Sequence, residues 1–168
     1  MKMKFLNLLA IFTLVITGCS KNDDEDVAPA PVATPVGTYK LTAFNVSTAQ
    51  DLNGDGTSSV NQMNESICLN NSFLVLNADN TFAYNDKGIE ITSDGVTDEI
   101  TCYNDGNITG TWSINGSVLT LNSNGTMETY TYTGNTISIT VPDSDVVGMS
   151  GGNPVYVTAD LSVIYTKQ

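Results

Sequence analysis

Gly110-Thr111-Trp112-Ser113-Ile114-Asn115-Gly116-Ser117-Val118-Leu119-Thr120-Leu121 consists of two short alternating runs joined by a turn. Trp112 and Ile114 fall on one face of the first run. Leu119 and Leu121 fall on one face of the second. A period of two marks half-buried antiparallel strands. Asn115-Gly116 is the strongest short-range hairpin signal, because both central positions of the tight turn need positive φ. The stretch therefore predicts a hairpin in which Thr109 to Ile114 and Val118 to Asn122 flank Asn115-Gly116-Ser117.

The same pattern recurs on both sides of it. Upstream, Ser72 to Leu76 and Thr81 to Tyr84 flank Asn77-Ala78-Asp79-Asn80. Ile89 to Thr92 and Val96 to Cys102 flank Ser93-Asp94-Gly95. Downstream, Thr126 to Thr133 and Thr136 to Val141 flank Gly134-Asn135. Tyr39 to Val46 opens the series and Val155 to Thr166 closes it, with Val155, Val157, Ala159, Leu161, Val163 and Tyr165 on one face. No segment has helical periodicity.

About ten strands joined by hairpins predict an all-β, antiparallel up-and-down meander. A meander this long closes into a β-barrel, which removes its exposed edges. A β-sandwich is the alternative. Pro142 to Pro154, carrying Asp143, Asp145 and the run Gly148 to Gly152, is expected as a solvated loop at the barrel mouth. Phe73, Phe82, Tyr84, Trp112, Tyr130, Tyr132, Tyr156 and Tyr165 lie on strands. Small barrels are filled by their own side chains, so core filling is the first expectation for them and lining a cavity the second.

Composition excludes several functions. The chain has 18 Asp+Glu, 6 Lys+Arg and no histidine. Such acidity repels nucleic acid and anionic lipid, so no nucleic-acid partner is expected. Without histidine there is no Ser-His-Asp or Cys-His constellation, no His-ligated zinc, and the commonest general base is missing. The expectation is a protein that is not an enzyme.

The N-terminus reads as an address. Lys2 and Lys4 precede an apolar run, Phe5 to Ile16, that falls short of the roughly 20 residues a spanning helix requires and suits a signal peptide. Leu14-Val15-Ile16-Thr17-Gly18-Cys19 resembles the lipobox of bacterial lipoproteins. The resemblance implies a signal peptide over 1–18, cleavage before Cys19, and lipid (palmitate among its chains) attached to that cysteine. Stable anchoring requires more than one acyl chain, and a lipobox cysteine typically carries three. Loss of Lys2 and Lys4 leaves four lysines against 18 acids, a formal charge of −14. Ser20 to Asp26 is similar to the surface-export signal of Bacteroidetes lipoproteins, although Asn22 parts Lys21 from the acids. A solvated, self-repelling tether is the alternative reading. Val27 to Pro35 is a stiff Pro/Ala/Val linker. The expected layout is signal peptide 1–18, lipidated cysteine and tether 19–35, and one domain over 36–168. The expected location is the outer membrane, facing the cell surface.

With Cys19 assigned to lipid, Cys68 and Cys102 remain. An even pair in an exported domain reads as a disulfide. Two free buried thiols are the alternative.

Gly37-Thr38-Tyr39-Lys40-Leu41-Thr42 resembles the opening strand of lipocalin-like domains, with Tyr39 at the position of their Gly-x-Trp tryptophan. Asn77 to Phe82 and Gly110 to Leu121 resemble two hairpins of the same group. The likeness runs over about residues 36 to 168 and is closest to lipocalin-like lipoproteins of the Bacteroidetes type. It implies a lipocalin-like barrel that captures a small hydrophobic ligand. The family's arginine over the tryptophan is missing, since this chain has no arginine; Lys167 in the last strand is the candidate to cover Tyr39.

Asp51-Leu52-Asn53-Gly54-Asp55-Gly56-Thr57 has the D-x-N-x-D-G spacing of the first half of an EF-hand-type calcium loop. Calcium takes six to eight hard oxygens. Asp51, Asn53 and Asp55 offer side-chain oxygens and Thr57 a carbonyl. The twelfth position is Gln62 rather than a bidentate glutamate, and Glu65 replaces it if the chain turns back. A bare Gly/Asp/Asn turn is the competing reading.

Two functions compete. One is a membrane-anchored module that binds a small apolar ligand inside the barrel. The other is a structural or interaction protein of the cell envelope with a filled barrel. Interior volume separates them, because small-ligand pockets measure roughly 300–1,000 Å³.

Overall fold

A computed structural model describes residues 34–168. The expected signal peptide, Cys19 and most of the expected tether lie outside the described residues. Nine strands follow in order: β1 (Gly37–Gln50), β2 (Ser59–Asn61), β3 (Phe73–Leu76), β4 (Thr81–Ser93), β5 (Asp98–Asn115), β6 (Val118–Ser123), β7 (Thr126–Tyr132), β8 (Thr136–Ser150) and β9 (Asn153–Lys167). One 3₁₀ turn, Gln62–Asn64, follows β2. Among the described residues no helix is long and apolar enough to cross a membrane.

All pairings are antiparallel, the order is that of a meander, and β9 returns to pair with β1. The result is the expected closed barrel of eight strands, with the lipocalin-like order. The short β2 runs beside the far half of β1, on the side where β3 pairs with its first half.

The turns follow from local chemistry, with one change from expectation. In the β5–β6 turn only Gly116 has positive φ (59°), and Asn115 pairs with Val118. This is the Gly-X two-residue solution rather than the Asn-Gly one. The Asn-Gly solution stands one hairpin later: Asn124 and Gly125 have φ of 51° and 90° between the paired Ser123 and Thr126.

Two expected interruptions are absent. The segments around Ile89 and Thr81 form one strand, as do those around Val96 and Thr109, so β4 and β5 make one long hairpin. Pro142 to Pro154 is not a loop. β8 continues to Ser150 and turns through Gly151-Gly152, both at positive φ, into β9. A bulge between Val141 and Ser144 takes up Pro142 and Asp143, the latter at φ 50°. β7 pairs with β8 only at Ile137 and Ser138, so Pro142 lies on a free edge, where its missing N–H costs no ladder bond.

The core fills the end of the barrel where the chain enters and leaves. Tyr39, Leu74, Leu76, Leu119 and Ile137 are almost wholly inaccessible there, with Phe82, Trp112 and Leu121 close behind. Trp112 Nε1 donates to Asn77 O at 3.0 Å and its backbone N–H to Asn80 O, so this one residue fixes the β3–β4 turn. Tyr39 Oη donates to Pro35 O at 2.7 Å.

Candidate functional site: two cavities at the open end

Strand lengths leave the opposite end open. β6 pairs with β5 only over Thr111–Asn115, whereas the β4–β5 ladder runs on to Ser93 and Asp98. The β8–β9 ladder likewise runs on to Ser150 and Asn153. Two hairpin arms therefore stand above the low β6–β7 wall. The arms meet: Ile91 N–H donates to Tyr156 Oη at 3.3 Å.

Each arm is braced from below. The Cys68–Cys102 disulfide ties the β4–β5 arm to the connection before β3, confirming the cysteine pairing. Lys87 Nζ donates to Asn70 O in that same connection. On the other side, Gln50 Oε1 accepts from Met149 N–H at 3.0 Å. The Gly148 site admits this contact, since a Cβ there would stand 2.8 Å from Gln50 Oε1.

The first cavity lies against the inner wall of β4 to β7, with a volume of about 270 Å³. Phe82, Tyr84, Ile108 and Leu121 give it an apolar surface, and Ser123 and Glu128 sit at its rim. The Phe82 and Tyr84 rings lie 6.0 Å apart and nearly parallel. Glu128 Oε2 accepts from Tyr130 Oη at 2.8 Å. Burial, followed by the Glu128 carboxylate, pushes the Tyr84 phenol up to about 12 and raises that of Tyr130 further.

A second cavity of about 160 Å³ lies between the arms and above β1. Phe44, Val146, Val147 and Leu161 form its apolar side, and Gln62 contributes to its wall. Phe82, Tyr84 and Tyr156 are among the aromatics for which the sequence offers cavity lining as the second expectation, whereas the arms and Gln62 were not legible in it. Gln62 sits in the polar stretch Asn61 to Ser66, and only the packing of distant strands buries it.

The Asp51 loop closes on itself. Asp51 Oδ1 and Oδ2 accept from Gly54 and Gly56 N–H at 2.8 and 2.9 Å. Asn53 Oδ1 accepts from Asp55 N–H at 2.9 Å, and Asp55 Oδ1 from Thr57 N–H at 2.7 Å. Glu65 does turn back: it is buried, and its Oε2 accepts from Leu52 N–H at 3.2 Å. Among the described residues no three acidic, histidine or cysteine side chains converge as a metal-holding group. The side-chain oxygens of Asp51, Asn53 and Asp55 hold backbone amides within the loop, as the turn reading expects, and each carboxylate keeps acceptor capacity beyond those bonds.

No family model, no curated protein and no solved structure matches this chain.

Proposed function

We propose that this chain is a lipid-anchored lipoprotein of the bacterial outer membrane whose lipocalin-like barrel binds a compact apolar molecule without catalysis. The lumenal cavity bounded by Phe82, Tyr84, Ile108 and Leu121 carries the reading. Its volume of about 270 Å³ falls just under the usual range for small-ligand pockets, roughly 300–1,000 Å³. The ligand is therefore smaller than a long acyl chain. The lipobox at Cys19 and the acidic tether support the membrane address and a cell-surface position.

Saturable binding of an apolar naphthalene dye to the purified chain tests the ligand. One-to-one binding that Ile108→Phe abolishes supports it; absence of saturation up to the dye's solubility sinks it. Incorporation of a labelled fatty acid, lost in Cys19→Ala, tests the anchor. Protease shaving of intact cells tests the surface position.

The packing of the lower half favours a second reading, an envelope interaction protein with a filled barrel. Tyr39, Leu119 and Ile137 are 0 % exposed, so that half holds no ligand. Failure of dye binding, with retention of the folded barrel, selects this reading.

A further inference from the structure

The upper half of β5 is an open sheet edge. β6 leaves β5 at Thr111, and among the described residues no strand other than β4 pairs with Asp98 to Asn104. Opposed residues of an antiparallel ladder alternate between pairs that bond each other and pairs that turn their N–H and C=O away. Two bonds set the phase here. At the tip of the arm Asp94 N–H donates to Thr97 O, so that pair is a bonded one. Ile91 N–H donates outside the ladder, to Tyr156 Oη, so Ile91 and its partner Ile100 are of the other kind. Asp98, Ile100, Cys102 and Asn104 therefore turn their N–H and C=O outward from β5. Asp98, Cys102 and Asn104 are exposed and Ile100 is half-buried. Tyr156, from the β8–β9 arm, meets the opposite edge of the hairpin, on β4.

An open edge is a template for another strand, and this one is held in place. β4 backs it along its whole length, and the Cys68–Cys102 disulfide ties it to the connection before β3, so little ordering is left to oppose docking. The free edge of β8 differs, because Pro142 and the bulge after Val141 blunt it. Charge selects the occupant. The β4–β5 hairpin carries six carboxylates, Asp86, Glu90, Asp94, Asp98, Glu99 and Asp105, against the single lysine Lys87, whose ammonium is engaged with Asn70 O. A second copy would set carboxylates against carboxylates, and like charges directly opposite destabilise a sheet. A strand with lysine or arginine at alternate positions meets the opposite field.

We propose that the β5 edge from Asp98 to Asn104 is a docking surface for a basic, extended segment of a partner protein, which adds to the hairpin as a further strand. The surface is separate from the lumenal cavity and does not rest on ligand binding there.

Calorimetric titration of the purified full chain with a short peptide of alternating threonine and lysine tests the idea, at about 0.15 M salt, where long-range attraction is screened. Saturable one-to-one binding is expected. The same peptide methylated at every backbone nitrogen keeps its charge and loses its ladder donors. It is expected to bind about tenfold or more weaker, a factor in keeping with one or two lost hydrogen bonds. Amide exchange followed by NMR locates the strand: the Ile100, Cys102 and Asn104 amides slow on peptide binding, and those of β6 and β7 do not. Glu99→Lys with Asp105→Lys, both exposed positions, removes binding of the lysine peptide and admits its glutamate counterpart. Equal affinity for the methylated and unmethylated peptides overturns the proposal, because charge alone then accounts for the binding. So does absence of binding, slowed exchange along β7 or β8 in place of β5, or self-association of the chain through these amides without peptide.

Discussion

Lys167 and Tyr39 are register partners across the β1–β9 seam that closes the barrel, and Lys167 Nζ stands 5.7 Å from the centre of the Tyr39 ring. The ammonium also donates to Thr34 O at 2.9 Å. Gly37 makes room for the lysine stem, since a Cβ there would come within 2.9 Å of Lys167 Cε. Three residues thus cap the closed end: a glycine, an aromatic ring two positions on, and a cation from the last strand. Lys167 therefore covers Tyr39, as the sequence comparison of the two chain ends offered.

This cap predicts measurable coupling. A cation over an aromatic face contributes about 0.5–1 kcal/mol at exposed sites and more when desolvated. Lys167→Met and Tyr39→Leu are expected to interact by about that amount in a double-mutant cycle followed by urea unfolding. Strict additivity of the two changes would show that the ammonium contributes nothing through the ring.

Two cross-strand pairs on β4 and β5 join a glycine to an aromatic ring: Phe82 with Gly110, and Gly88 with Tyr103. Their tolerance of a methyl group differs. At Gly110 a Cβ would lie 2.1 Å from the backbone oxygen of Asn122. At Gly88 the three nearest atoms all belong to the Tyr103 side chain, at 2.8 to 2.9 Å. Gly110→Ala is expected to cost about 3 kcal/mol or more, at the upper end of overpacking changes, and Gly88→Ala about 1–2 kcal/mol because a ring can shift. Denaturant midpoints for the two variants check the order, and equal losses would contradict it.

These pairs show where sequence reading stops. Alternation around Trp112 and Ile139 reported the strands, because half-buried strands must alternate. Asn115-Gly116-Ser117 and Gly134-Asn135 reported turns, because positive φ at Gly116 and Gly134 is a local demand. The seam between Tyr39 and Lys167 was legible as a possibility, because the two motifs sit at opposite ends of one meander. The arms were not legible. Pro142, Asp143 and Gly148 have the composition of a loop, and only pairing of β8 with β9 makes them strand. Gln62 carried no signal, because strands distant in sequence bury it.

The disulfide is expected to act locally as well as globally. Joining Cys68 to Cys102 closes a 34-residue separation, for which chain entropy gives about 3.8 kcal/mol. Cys68→Ser with Cys102→Ser is expected to lower the melting temperature and to speed amide exchange in the β4–β5 arm more than in β6 and β7. Uniform acceleration over all strands would argue that the bridge does not brace the arm.

Calcium separates the two readings of the Asp51 loop. As a bare turn, in which both Asp51 oxygens hold the Gly54 and Gly56 amides, Asp51→Ala loses two bonds at about 1 kcal/mol each whether or not calcium is present. As a calcium loop, it gives a rise in melting temperature on adding millimolar calcium that Asp51→Ala abolishes.

Alkali is expected to unfold the barrel before it exhausts the tyrosines. Burial pushes the Tyr165 phenol up to about 12, with Tyr84 and Glu128 adding to it, and raises Tyr103, where Asp86 and Asp105 add to the effect. Tyr84 also stands at about 12 against an ordinary 10.0. Tyr39 is raised as well, by burial and then by Tyr132. Below pH 10 these phenols are neutral in both the folded and the unfolded chain, and the stability linked to them is fully present. As pH rises from 10 towards 12 the unfolded chain releases protons that the folded barrel retains, so unfolding becomes easier. Tyrosinate absorbance and circular dichroism followed together should therefore change in one cooperative step within that window. Glu128→Gln removes the carboxylate beside Tyr130 and Tyr84 and should move the step to higher pH, because the folded barrel then ionises more readily and loses less against the unfolded chain. Gradual ionisation of all tyrosines with an intact β-sheet signal would show that the interior phenols are open to water.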